Sequence, residues 1–252
     1  VVVTTQSRIK EHWAPCGRRE STQDYYVVRQ GRSDYAGYWG IKTDPDGVVR
    51  NRDSEDERAR FVSDSQEIIQ FVNGLKPISV LDFGSGPGWL LNELVVPCKA
   101  AVEVSPEAIE KLRKSDVIVY DDIVQASPSS FDVIIANHVI EHLIDPLYVV
   151  NHFHRILHPG GHLILGTPDF GSPCAKRFGA NYRMLHDPTH ISLFTLESCS
   201  RMLRDCGFTI DNLTFPFPQR YAMQGNWARW HDTSRVSPPW PGNFLTYFAR
   251  RT

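Results

Sequence analysis

A chain of 252 residues with 41% hydrophobic and 22% charged content holds enough apolar material for one large α/β domain or two small ones. Twenty-seven Lys and Arg against twenty-nine Asp and Glu leave a formal charge of −2, so no global field draws the chain to nucleic acid or an anionic membrane. The apolar runs are far too short to cross a bilayer and VVVTTQSRIK lacks the order of a signal peptide, which makes the cytoplasm the expected compartment. The cysteines at 16, 98, 174, 199 and 206 are odd in number and lack a C-x-x-C pair, so reduced thiols without a role are expected.

Residues 1–60 read as a polar, aromatic extension or cap, with turn signals at Asp44-Pro45-Asp46-Gly47 and a charged run from Arg50 to Arg60. Apolar spacing from Phe61 to Val72 predicts a helix over 57–75. The main domain, 61–252, then presents VLDFGSGPGWLL at 80–91, an apolar strand ending in an acid and running into glycines 84, 86 and 88. Glycines there let the chain turn sharply and let a ligand lie against backbone N–H groups. The next strand, AAVEV at 100–104, carries Glu103 nineteen residues after Gly84, where a carboxylate can accept from both hydroxyls of a ribose. A dinucleotide fingerprint would need glycine at 89, where this chain has Trp89, so the ligand expected is adenosine-containing and not NAD or FAD.

Beyond Glu103 the alternation predicts a helix near 105–115, a strand at 117–120, the strand FDVIIAN at 131–137 and a helix at 147–157. A turn at His158-Pro159-Gly160-Gly161 and the strand HLILGTP at 162–168 follow. Such alternation builds a mostly parallel sheet with helices on both faces and ligands at the carboxyl ends of its strands. The stretch 169–194 has no clear period and reads as a lid inserted above that rim. Thr195 caps a helix ended by Gly207, and FTIDNLTF and FLTYFARR are strands. The aromatic, proline-rich residues 216–242 are expected to be irregular.

In this order the segments resemble class I S-adenosylmethionine-dependent methyltransferases: VLDFGSGPGWLL, the acid of AAVEV, DDIVQ with FDVIIANHVIEHLIDP, and HRILHPGGHLILGTP. The ordered set spans 79–208 and is far more specific than any single motif, and HDPTHISLFTLESCSRMLRDCGF and PGNFLTYFARR resemble the small-molecule and sugar-associated subset. The resemblance implies an α/β, Rossmann-like sheet of seven strands, the last antiparallel. It also implies S-adenosyl-L-methionine as cofactor, with S-adenosyl-L-homocysteine as product. Gly84, Ser85 and Gly86 would flank its methionine part, Asp82 would order the loop, and Gly88 would allow close helix approach. Glu103 would hold the ribose, Val104 and Ile123 would pack on the adenine, and Asp122 would meet its amino group. Asn137 and His138 would border the methionine moiety. Upstream, Tyr35, Tyr38 and Trp39 either close over the cofactor or serve as core anchors, the second reading being favoured.

The activity expected is O-methylation of a small molecule, a sugar, glycan precursor or secondary metabolite. Orientation supplies much of the rate, and a histidine base adds more, with His142 or His190 the candidates. In H-V-I-E-H a helix would bring His138, Glu141 and His142 to one face, and with His190 they could bind a divalent metal for metal-assisted transfer. The favoured reading is without metal, Glu141 and His142 organising the loop by hydrogen bonds. A non-catalytic S-adenosylmethionine-binding partner protein is the alternative from another class, and self-association into a homo-oligomer stays open.

Overall fold

Residues 25–28, 38–45, 47–217 and 223–252 are described in the computed structural model, so Tyr35 and Cys16 lie outside the described residues. Seven strands form the central sheet: β1 (Ser79–Phe83), β2 (Cys98–Val102), β3 (Ile118–Tyr120), β4 (Phe131–Asn137), β5 (Leu157–Pro168), β6 (Phe208–Thr214) and β7 (Phe244–Arg251). Their order is β6-β7-β5-β4-β1-β2-β3. The pairs β3–β2–β1–β4–β5 are parallel, whereas β7 runs antiparallel to both β5 and β6. The chain moves outward in one direction from β1 and returns on its other side with β4, and the crevice at that reversal is where an open α/β sheet takes its ligand.

Period-two alternation divides the strand side chains between two layers. Leu81, Ala100, Ile134, Leu163, Leu165 and Tyr247 enter one core, filled from outside by α5 (Pro146–Ile156) and α7 (Leu196–Asp205). Val80, Ala101, Val133, Ile135, Ile164 and Phe248 enter the other. That side is covered by α2 (Gln66–Leu75), α3 (Trp89–Glu93) and α4 (Pro106–Leu112). Phe61 and Val62 of α1 (Glu55–Asp64) pack against its margin. With both faces covered, the parallel strands read as continuous apolar runs.

Three expectations are corrected. The helix over 57–75 is two helices, because Ser65 leaves helical geometry (φ −92°, ψ 5°) and its N–H closes α1 on the carbonyls of Phe61 and Val62. The turn at 158–161 lies inside β5: Leu157 already pairs with Phe131 and His162 with Val133, so Pro159, Gly160 (φ 78°) and Gly161 bulge out without ending the strand. The aperiodic stretches also hold helices, α6 (Pro173–Phe178) and α8 (Met223–Trp230). These are too short for a 3.6-residue pattern to show. They are fixed by a small aromatic core in which Trp230 stacks on Trp240 at 3.9 Å and Phe178 meets Trp230 at 5.7 Å.

Helix α7 starts as expected. The Thr195 hydroxyl accepts from Ser198 N–H at 3.2 Å and the Ser198 hydroxyl accepts from Thr195 N–H at 3.0 Å. Replacing Thr195 by alanine exposes one of these donors and is expected to cost about 1 kcal/mol. In a domain of this size that is a fall in Tm of roughly 2–4 °C, checked by thermal unfolding. An unchanged Tm would mean the cap contributes nothing.

Candidate active site

At the carboxyl ends of β1, β2 and β4 opens a cavity of about 950 Å³, the size range of small-molecule and cofactor sites. Asp82, Gly84, Ser85, Glu103, Val104, Asn137 and His138 line it, whereas Gly86, Gly88, Asp122 and Ile123 do not. Asp122 caps a single 3₁₀ turn by accepting from Val124 N–H at 3.1 Å, and Ile123 is buried in the core beneath α5. The glycines beside the cavity are required by close approach. A Cβ on Gly84 would stand 2.6 Å from the Val139 side chain, one on Gly86 2.2 Å from the Trp39 ring, and one on Gly88 2.8 Å from Leu112. All three have φ in the left-handed region.

Glu103 joins the two loops that frame the crevice. Its carboxylate accepts from Gly86 N–H at 2.6 Å, Val104 N–H at 2.7 Å and Ser105 N–H at 2.8 Å, and it is buried. Asp82, wholly buried beside it, is pushed up to about 8, first by loss of solvent and then by repulsion from Glu103. Asp82 therefore keeps its proton at neutral pH.

The opposite wall of the cavity is built from β4 and the segment 169–194. His138 ends β4 in the left-handed region (φ 57°), with its N–H donating to Gly166 O, so it does not begin a helix. A 3₁₀ turn, Ile140–His142, follows, and the helical face expected for His138, Glu141 and His142 is absent. Glu141 turns into the interior, 0% exposed, and its carboxylate receives the Thr167 hydroxyl at 3.3 Å. His138 Nδ1 lies 3.4 Å from Glu141 Oε1. Burial alone would raise the Glu141 pKa, but His138, His142 and His190 around it outweigh this and hold it below its ordinary value.

His142 and His190, 4.8 Å apart by ring centroid, are held alike. His142 Nδ1 lies 3.0 Å from Thr189 O and His190 Nδ1 lies 2.7 Å from Met184 O. A carbonyl only accepts, so in each neutral ring Nδ1 carries the proton and Nε2 the lone pair. Burial keeps His190 below its ordinary pKa despite the Glu141 carboxylate, so that ring is neutral at pH 7. One ligand-capable atom from each of Glu141, His142 and His190 falls within 4.8 Å of the others, so three of the four metal candidates converge and His138 stands apart.

Sequence reasoning read residues 1–60 as an extension or cap but missed the strand pair within it. A two-stranded ribbon, Ile41–Thr43 with Val49–Asn51, lies across the mouth and turns Lys42, Arg50 and Arg52 toward it. Tyr38 meets His142 edge-on at 6.3 Å, and Trp39 lies against Gly86 and Trp89. Lys42 reaches Asp187 across the cavity at 3.0 Å, and Lys111 pairs with Asp53 on the other flank. The signal was the Asp-Pro-Asp-Gly turn beside the charged run from Arg50 to Arg60, which reads from sequence as a solvated helix start.

A family model described as "Methyltransferase domain" matches residues 55–213. The ubiquinone biosynthesis O-methyltransferase of Xanthomonas euvesicatoria is 27% identical over 191 residues, 68% of this chain and 75% of that protein. Among solved structures, the N-methyltransferase NodS from Bradyrhizobium japonicum in complex with S-adenosyl-L-homocysteine superimposes with a TM-score of 0.53 at 17% identity, covering 79% of this chain and 89% of that one. The [4+2]-cyclase SpnF gives a TM-score of 0.56 at 15% identity over 76% of this chain and 81% of that one. The last shows that the fold alone does not fix the chemistry. No helix among the described residues is long and apolar enough to cross a membrane. With its matched residues carrying the glycine loop, Glu103 and the histidines of the opposite wall, the chain belongs to the methyltransferase-domain family and is an S-adenosylmethionine-dependent methyltransferase of class I.

Proposed function

We propose that the enzyme methylates a hydroxyl of a small acceptor, a sugar, glycan precursor or secondary metabolite, with His142 and His190 at the reacting face. The observation that carries this reading is the pair of rings whose Nδ1 atoms are both committed to backbone carbonyls, which leaves lone pairs on Nε2 beside a buried carboxylate. The cofactor, when bound, supplies a sulfonium methyl group already activated for transfer. Glu103 would hold its ribose, Gly84 and Ser85 its methionine part with Asn137 and His138 alongside, and Val104, 60% exposed at the cavity edge, offers an apolar surface to its base. A neutral imidazole then takes the acceptor hydroxyl's proton as its oxygen becomes the nucleophile. The O-methyltransferase name of the Xanthomonas relative supports an oxygen acceptor. The test is release of S-adenosylhomocysteine with panels of hydroxyl and amine acceptors. Turnover confined to amines would sink the proposal.

A second reading is favoured by one observation, the convergence of Glu141, His142 and His190 within 4.8 Å. Two imidazoles and a carboxylate suit a first-row divalent ion, which would make transfer metal-assisted. Elemental analysis of the purified protein and turnover before and after treatment with EDTA separate the two. The general-base reading expects unchanged turnover; a stoichiometric ion whose removal abolishes turnover and whose return restores it establishes the metal.

A further inference from the structure

The ribbon across the mouth carries an imbalance of charge. In its register Lys42 faces Arg50, and Arg52 follows on the same side, so three cations look into the cavity while Ile41 and Val49, 76% and 65% exposed, look out. Two of the three are neutralised. Arg50 donates to Asp44 at 2.6 Å and to Glu57 at 3.3 Å, and Lys42 pairs with Asp187 at 3.0 Å. Arg52 meets no carboxylate among the described residues; its guanidinium lies over the Tyr38 ring at 4.5 Å. Lys42 Nζ is 4.7 Å from the same ring, which meets His142 edge-on, and Tyr38 also shares a side-chain hydrogen bond with Arg52. A half-buried guanidinium that lines a ligand cavity with an aromatic neighbour and no carboxylate is a planar fork of donors suited to two anionic oxygens.

We propose that the methyl acceptor carries a carboxylate or phosphate group and that Arg52 binds it, one aromatic ring from the His142/His190 pair. This rests on the reading that the reacting hydroxyl lies at those histidines. Tyr38 then does two things at once: it spaces the anion from the hydroxyl, and it holds the guanidinium at the mouth. Arg52 is a specificity-determining residue. A neutral acceptor leaves it unanswered, and an acceptor with its anion at another spacing cannot reach His142 and Arg52 together.

The test uses the whole chain loaded with S-adenosylhomocysteine, titrated calorimetrically with benzoate, inorganic phosphate and benzyl alcohol as a neutral control. The wild type is expected to bind one of the anions at least tenfold more tightly than R52Q does, with R52K, which keeps the charge without the planar fork, between the two and benzyl alcohol indifferent to the substitution. Whether benzoate or phosphate shows the larger loss names the anion. The proposal is overturned if neither anion binds the wild type, or if R52Q binds both as the wild type does. Affinity for S-adenosylhomocysteine is measured in the same samples; if R52Q has lost it, R52M, which keeps an apolar stem over Tyr38, replaces it. Failure of the O-methylation reading looks different. It shows as turnover confined to amines, whereas turnover of anionic hydroxyl acceptors at wild-type efficiency by R52Q sinks the anion site alone.

Discussion

Replacing Glu103 by alanine is expected to weaken S-adenosylhomocysteine binding at least 100-fold, the largest single loss of cofactor affinity in the protein. Three backbone N–H groups, from Gly86, Val104 and Ser105, converge on this carboxylate at 2.6–2.8 Å, and alanine leaves all three without their acceptor. Hydrogen bonds to a charged group contribute roughly 1.5–3 kcal/mol each. Loss of even two, in loops that must be ordered before a ligand can dock, is about 3 kcal/mol or more, and each 1.4 kcal/mol is about tenfold in affinity. The ribose loses its acceptor in the same step. E103Q should fall between, since one oxygen still accepts while the amide NH₂ is set against backbone donors. Asp82 supplies a second readout. With the Glu103 charge gone, one of the two causes of its raised pKa disappears, so Asp82 ionises at lower pH in E103A than in the wild type. Calorimetric titration with S-adenosylhomocysteine decides the matter, and an E103A affinity within threefold of wild type would refute the role given to Glu103.

The glycine-loop half of this cavity was legible in the sequence because its determinants are local. Gly84, Gly86 and Gly88 follow an apolar strand within a few residues, and Glu103 ends the next; the chain's own connectivity puts them together once the sheet is parallel. Apolar β1, β2 and β4 needed no help, because burial on both faces writes itself as an unbroken hydrophobic run. The opposite half was legible only as a list of histidines. Their arrangement depends on carbonyls, Thr189 O and Met184 O, and a backbone atom carries no sequence signature. His138 was grouped with His142 by helical arithmetic, which fails because His138 takes a left-handed conformation to donate to Gly166 O. Asp122 and Ile123, which the resemblance set beside the adenine, have local partners that no motif shows: the carboxylate caps a 3₁₀ turn and the isoleucine packs in the core. The ribbon was hidden for a further reason: Lys42–Asp187 and Arg52 over Tyr38 are contacts whose partners no periodicity relates.

The second large effect is expected at the histidines: H142A or H190A should lower kcat about 10²- to 10⁴-fold if the ring removed is the base, with affinity for S-adenosylhomocysteine unchanged. Burial and the fixed Nδ1 contacts make His190 the stronger candidate. Its pKa lies below the ordinary 6.5, so the neutral, proton-accepting form persists into mildly acidic solution, and the acid limb of kcat falls below that of an exposed histidine. The same shift has a consequence for folding. The unfolded chain binds this proton more readily than the folded one, so the contribution to stability is complete above about 6.5 and is lost as pH falls toward the lower folded value. Glu141 tests the assignment without touching the ring. Its negative charge raises the His190 pKa, so E141Q should move the acid limb of kcat to still lower pH. It leaves the two carbonyl contacts in place. A limb that stays where it is in E141Q, with full turnover in H190A, removes His190 from the chemistry. Complete loss of turnover in E141Q at every pH, together with loss of a bound ion, is what a carboxylate ligand to a metal would produce, and a base acting alone would not.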